Sequence, residues 1–217
     1  TVFSSIDHGG RYAYGNQPAI ATWNLARLGE SLLPLLDDDA DRAVELATHS
    51  LQRFPEQFQA AWLGGMCTKL GLVGDRIDGS TGTNAAERLI ADLLTLMGEQ
   101  RVDFTSCLRS LSSAARGDVT VARSLFAEPA AFDAWAARWL PLVTSSVADG
   151  MDRANPIYIP RNHLVEAALS AATAGDLQPF EQLMAVLADP YTEREGLEHH
   201  SRPAPDTFTD FQTFCGT

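Results

Sequence analysis

From Pro18 to Pro190 the apolar residues of this chain recur at steps of three and four. That is the period of a helix with one buried side, and no stretch alternates as a half-buried strand would. The segment most open to another reading, Asn155-Pro-Ile-Tyr-Ile-Pro160, is too short and too proline-bound for a central strand. The pattern therefore predicts an all-α fold, a multi-helix array with short loops.

The punctuation sets the helices. Pro18 suits a first helical position, where a missing N–H costs nothing. From it Ile20, Trp23, Leu28, Leu32 and Leu35 form one stripe that is expected to be buried. Asp37-Asp38-Asp39 ends that helix and starts the next, because carboxylates favour a helix N-terminus. The second helix is expected over Ala40–Phe54, interrupted by Pro55, and the third over Gln57–Leu70. Gly71–Thr83 reads as a glycine-rich loop. Asn84 is then expected to cap a helix, with Glu87 as its reciprocal partner. That helix carries Leu89, Ile90, Leu93, Leu94 and Met97 and ends near Gly98.

Asp103 opens a short helix through Leu111, and Asp118 caps another to Phe126. A longer helix is expected from Pro129 to Val147, bent at Pro141, followed by an extended Asn155–Pro160. Helices over Arg161–Ala174 and Gln178–Leu187 complete the array. The expected organisation is a polar loop over 1–18, a helical domain over 19–190 and an irregular tail over 191–217. Trp23, Trp62, Trp135 and Trp139 all lie at helical spacing and are assigned to the core.

The 217 residues carry a formal net charge of −12. A surface this acidic repels polyanions, which argues against nucleic acid and anionic membranes as partners. No apolar run approaches the roughly 18 residues that a membrane helix needs. The start has no basic region followed by an apolar one, so it does not read as a signal peptide. It opens on Thr1 and a loop, which reads as a start within a longer protein. Cys67, Cys107 and Cys215 are too few and too far apart for a disulfide framework or a zinc site, so a reducing, cytoplasmic setting is expected. Of the 16 basic residues only Lys69 is a lysine, which reads as the coding bias of a GC-rich bacterium.

Most candidate motifs fail on chemistry. Gly79-Ser-Thr-Gly-Thr83 lacks the lysine of a phosphate loop. Asp75–Gly79 lacks the alternating carboxylates of a calcium loop. Asp103-Phe-Thr105 reads as a helix cap and not as a magnesium motif, because no glycine follows and the triplet opens a helix. His199-His200 reads as part of a solvated tail, His163 as packing or a cap, and His49 as surface. No nucleophile–base–acid set is recognisable from order or spacing.

What remains is the opening loop, Asp7-His-Gly-Gly-Arg11-Tyr12-Ala-Tyr-Gly-Asn16-Gln-Pro18, crowded with polar and aromatic groups. With Trp23-Asn-Leu-Ala-Arg27-Leu28 behind it, this segment resembles the one just after the catalytic core of selenoprotein O proteins. Those are protein-kinase-like enzymes that transfer AMP to protein hydroxyls. The similarity continues in order through Lys69-Leu-Gly-Leu72, Val102-Asp-Phe-Thr105, Leu108-Arg109, Asn155-Pro156, Tyr158-Ile159, Arg161-Asn162 and Thr213-Phe-Cys215-Gly-Thr217.

The resemblance implies that this array corresponds to the carboxy-lobe and C-terminal helices of a kinase-like fold. The groups that bind ATP and magnesium would precede Thr1, so no catalytic or metal residue is carried onto this chain. Asp7, His8, Arg11, Tyr12 and Asn16 would lie on the activation-segment side of the site. Cys215 would match the family's redox position, with Phe3 near the place of the second cysteine that some relatives have. The implied partners are the missing N-terminal catalytic region and the protein substrates of the parent enzyme, and this chain alone is expected to be inactive. Two alternatives are an independent helical scaffold and a thiol-redox protein acting through Cys215.

Overall fold

The computed structural model describes residues 6–73, 80–208 and 211. Eleven α-helices occur among them, and no strand. They run α1 (Gln17–Leu36), α2 (Ala40–Gln52), α3 (Phe54–Lys69), α4 (Ser80–Glu99), α5 (Phe104–Ala115), α6 (Thr120–Ser124), α7 (Pro129–Trp139), α8 (Ala148–Ala154), α9 (Asn162–Thr173), α10 (Gln178–Leu187) and α11 (Glu198–Ser201). No helix among the described residues is long and apolar enough to cross a membrane. The chain parts into two compact units, with the division inside α3 between Leu63 and Gly64.

The first unit is built on the α1–α2 hairpin. Asp39 caps α2 as expected, accepting the N–H groups of Asp41 and Arg42 at 2.9 and 3.1 Å. Gly29 faces Ala47 and Leu51 of α2, and a Cβ there would sit 3.9 Å from the Cβ of Ala47, an ordinary packing distance. Pro55 does not interrupt α2. The chain turns at Arg53, and Pro55 becomes the second residue of α3, where its missing N–H is harmless.

The second unit holds the core. α4 supplies Leu89, Ile90, Leu93 and Met97 to it, the stripe read from the sequence. α5 contributes Cys107, Leu108 and Leu111, and α7 contributes Phe132, Trp135 and Trp139. The aromatic rings form a ladder: Phe126 to Phe132 at 5.0 Å, Phe132 to Trp135 at 5.9 Å, Trp135 to Trp139 at 5.3 Å. Both indole N–H groups are satisfied, by the carbonyls of Leu89 and Leu70, each at 2.9 Å. Burying the rings therefore leaves no polar atom stranded.

At the end of α3 the Leu72 N–H reaches the Cys67 carbonyl and the Gly71 N–H reaches that of Thr68, the paired bonds of a left-handed helix stop. Only glycine fits. Gly71 has φ of +67°, and a Cβ would lie 2.7 Å from both Met151 Sδ and Val147 Cγ2. Beside it Lys69 Nζ donates to the Ala154 carbonyl at 2.7 Å, while Asn155 Nδ2 donates back to the Lys69 carbonyl at 2.8 Å.

Several expectations need correction. α4 begins at Ser80, so the loop expected to reach Thr83 ends earlier and Asn84 lies within the helix, not at its cap. α4 ends at Glu99, next to Gly98 as expected, and the turn that follows falls on Arg101, a left-handed residue with φ of +54°. Pro141 breaks the long helix instead of bending it. α7 stops at Trp139, two short 3-10 turns follow, and α8 forms separately. Residues 191–208 are more organised than a loose tail. Arg194 donates to the carbonyls of Val186 and Asp189 at 2.6 and 3.1 Å and stacks 5.2 Å from the Tyr158 ring centroid. His200 is buried, not solvated.

Candidate functional site

The polar loop ahead of α1 is a built structure. The two carboxylate oxygens of Asp7 accept the backbone N–H groups of Arg11 at 2.7 Å and Tyr12 at 2.8 Å. The Gly10 N–H returns to the Asp7 carbonyl at 3.0 Å, closing a turn that ends on Gly10, where the backbone takes a left-handed φ of +64°. Asn16 Nδ2 donates to the Gly10 carbonyl at 2.7 Å, which ties the far end of the loop to its middle. A single 3-10 turn, Tyr14–Asn16, then feeds α1.

The loop is also clamped by aromatic contacts. The Arg11 guanidinium lies 4.6 Å from the Trp23 ring centroid, and Arg27 sits 5.5 Å from the same ring. Such contacts are worth roughly 0.5–1 kcal/mol at exposed sites. Trp62 Nε1 donates to the Tyr14 hydroxyl at 3.0 Å. Tyr14, Pro18, Phe58 and Trp62, with Gly15, Gln17 and Gln59, enclose a hollow of about 240 Å³.

Of the five residues singled out from the sequence, the loop brings Asp7, Arg11, Tyr12 and Asn16 together. It does so largely through backbone groups, so Asp7 and Asn16 act to hold the loop's shape. His8 is exposed and makes no hydrogen bond to a described residue. Trp23 corrects the core assignment: it is 48% exposed, and Trp62 is only partly buried. The signal for this was present in the sequence. Arg27 stands four residues after Trp23, on the same helix face. The Tyr14–Trp62 contact spans too many residues to be read that way.

The second unit carries a different polar site, built on α5. Asp103 caps that helix, accepting the Ser106 N–H at 2.9 Å and its hydroxyl at 2.6 Å. Arg161, whose side chain is almost wholly buried, grips the same carboxylate with two bonds of 2.9 and 2.8 Å. Burial alone would push the Asp103 carboxyl up. The hydrogen bonds from Arg161 and Ser106 win and hold it at about 2. The α5 face also lines a cleft of about 430 Å³ with Arg109, Arg116, Asp152 and Arg202 among its walls. Arg116 is committed there to Asp149 at 2.6 Å and Asp152 at 2.7 Å.

Neither described cysteine is poised to react. Burial pushes the Cys107 thiol up to about 12, with Asp103 adding to it, and burial followed by Glu87 raises Cys67. Cys215, Phe3 and the Asp75–Gly79 stretch lie outside the described residues. No group of three or more His, Cys, Asp and Glu among the described residues has metal-binding geometry.

Fold and loop together define an all-α region headed by a self-bonded polar loop. Comparison with known proteins narrows this class. The family described as protein adenylyltransferase SelO matches residues 2–188, and the chain belongs to that family. It is 52% identical over 217 residues to a protein nucleotidyltransferase YdiU of Mycobacterium sp. (strain KMS), a match covering all of this chain and 44% of that protein. It is 53% identical over 219 residues to the YdiU protein of Mycolicibacterium smegmatis, covering 42% of it, and 49% identical over 216 residues to that of Pseudarthrobacter chlorophenolicus, covering 43%. The chain thus spans less than half the length of these curated relatives.

Proposed function

We propose that this chain is the carboxy-terminal helical region of an enzyme that transfers AMP from ATP to hydroxyls of protein substrates. The observation that carries this is its match, along its whole length and at about half identity, to proteins named nucleotidyltransferases. The loop geometry supports a shaping role within that enzyme. Asp7 and Asn16 are bound to the loop itself, so this segment presents a fixed edge to the site and Asp7 is not a free base.

The described residues do not fit magnesium and ATP as a site of their own. They hold no metal-spaced carboxylate group. The chain's single lysine, Lys69, is engaged by the Ala154 carbonyl and the Asn155 side chain. Phosphoryl and nucleotidyl chemistry needs positioned cations and carboxylates around the phosphates. In this reading the rest of the longer protein provides them. His8, Arg11 and Tyr12 border the acceptor side, and Cys215 is the redox position of a cytoplasmic bacterial enzyme.

The test uses two purified proteins, this chain and the full-length M. smegmatis relative, each given labelled ATP, magnesium and a protein acceptor. The relative is expected to label protein, and the 217-residue chain is not. Robust labelling by the chain alone overturns the division of labour. Failure of the relative to transfer AMP under any acceptor overturns the activity itself.

A further inference from the structure

The helix α1 is apolar on two sides. Its inner side, with Leu25, Ala26, Gly29 and Leu33, is partly buried, and Gly29 there closes on Ala47 and Leu51 of α2. Its other side carries Leu28, Leu32, Leu35 and Leu36, spaced i, i+4, i+7 and i+8, a single stripe. All four are exposed, Leu28 at 53% and Leu35 at 81%, and none of the helix's 20 residues is buried. Arg27, Glu30 and Ser31 form the remaining, polar side, where Arg27 pairs with Glu30 at 2.6 Å. A contiguous exposed stripe of large aliphatic side chains marks a contact surface.

We propose that the outer face of α1 is the seat for an apolar surface, flanked by basic residues, in the part of the family protein that this chain does not span. This rests on the reading above that the chain is one part of a longer enzyme, since its curated relatives have more than half their length outside the match. Charge chooses the flanks. The stripe runs straight into Asp37, Asp38 and Asp39, and none of these carboxylates meets a guanidinium or ammonium among the described residues. Two of them are occupied by backbone N–H groups, which leaves their charge unbalanced. A second copy, with the same net charge of −12 and the same acidic end to its stripe, offers no such complement.

Hydroxyl-radical footprinting read by mass spectrometry tests this without requiring activity. In the isolated chain Leu28, Leu32, Leu35 and Leu36 are expected to label strongly, and light scattering is expected to show a monomer. At the aligned positions of the full-length M. smegmatis relative, labelling is expected to fall at least fivefold. A paired substitution gives a second reading. Leu35→Asp is expected to leave the melting temperature of the isolated chain unchanged, while the aligned change in the full-length relative lowers it by several degrees. Equal labelling in both proteins overturns the proposal. So does protection in the isolated chain that Leu35→Asp abolishes along with a dimer, since a second copy would then be the occupant. A full-length relative that is protected but inactive sinks the AMP-transfer reading and leaves this one standing. An active relative with a labelled stripe does the reverse.

Discussion

The two units use the same sequence grammar and reach opposite outcomes. In the second, stripes at helical spacing become a sealed core: Leu70, Ile90, Leu93, Phe132 and Trp139 are all essentially inaccessible. In the first, α1 has no fully buried residue and only a partly buried inner side, and Ala43 alone among the described residues of that unit is buried. Burial of a large aliphatic or aromatic side chain contributes about 1.5–3 kcal/mol. The second unit therefore carries its stability internally, while the first holds its shape through local bonds: the Asp7 turn, the Asp39 cap and the Arg11–Trp23 contact. A part of a larger enzyme that flanks a site can be built that way when something else covers its apolar side.

The two pairs of tryptophans give the sharpest way to break this comparison. Trp139 is fully buried, stacked on Trp135 and bonded to the Leu70 carbonyl. Trp139→Ala is expected to cost about 3–5 kcal/mol. Trp23 is half exposed and held by two guanidiniums, so Trp23→Ala is expected to cost about 1 kcal/mol or less. Urea unfolding of both variants, followed by far-ultraviolet circular dichroism, checks the pair. Equal losses would mean that the first unit owns a core after all.

These two residues also mark what could be read in advance. Periodicity identified the α4 stripe and the Trp135–Trp139 face because the helix itself dictates which side chains share a side. The caps at Asp39 and Asp103 were legible for the same local reason. Trp23 and the Leu28–Leu35 stripe were misread as core because spacing says which residues lie together, never what covers them. The order of the segment that carries His200 depends on a partner far along the chain, since the Arg194 N–H bonds to the Tyr158 hydroxyl at 3.1 Å. In the candidate site, the residue types were legible and their roles were not. Asp7 and Asn16 were expected on the activation-segment side of a site, and the structure shows their side chains bound to backbone groups of the loop itself.

The two helix-capping aspartates contrast in a further way. Asp39 in the first unit meets only backbone N–H groups, whereas Asp103 in the second is also gripped by the buried Arg161. The Asp103 carboxyl is held at about 2, below the ordinary value near 4 that it regains on unfolding. A depressed native value means that the unfolded chain binds the proton more readily. The stabilisation is therefore complete above about pH 4 and is lost as the pH falls toward 2, and it amounts to about 2 kcal/mol. Asp103→Asn is expected to remove a similar amount at pH 7 and to flatten that acid limb. Asp39→Asn retains a capping oxygen and is expected to change stability by a few tenths of a kcal/mol. Denaturation midpoints measured from pH 2 to 7 separate the two, and an acid limb that persists in Asp103→Asn refutes the assignment.

A last contrast concerns two left-handed helix stops within the second unit. After α3 the stop is Gly71, where Met151 and Val147 leave no room for a Cβ. After α4 the stop is Arg101, an exposed residue at φ of +54°, with the Val102 N–H bonded to the Met97 carbonyl at 2.9 Å. The bonding is of the same kind at both turns, and only the second bears a side chain in a conformation that costs about 1–2 kcal/mol. Glycine would remove that cost while adding freedom to the unfolded chain. Arg101→Gly is thus expected to stabilise the chain by about 0.5–1 kcal/mol, a rise of a few degrees in a thermal melt. A fall in melting temperature would mean that the Arg101 side chain holds the turn through contacts that outweigh its backbone strain, and the two stops would then differ in kind and not only in room.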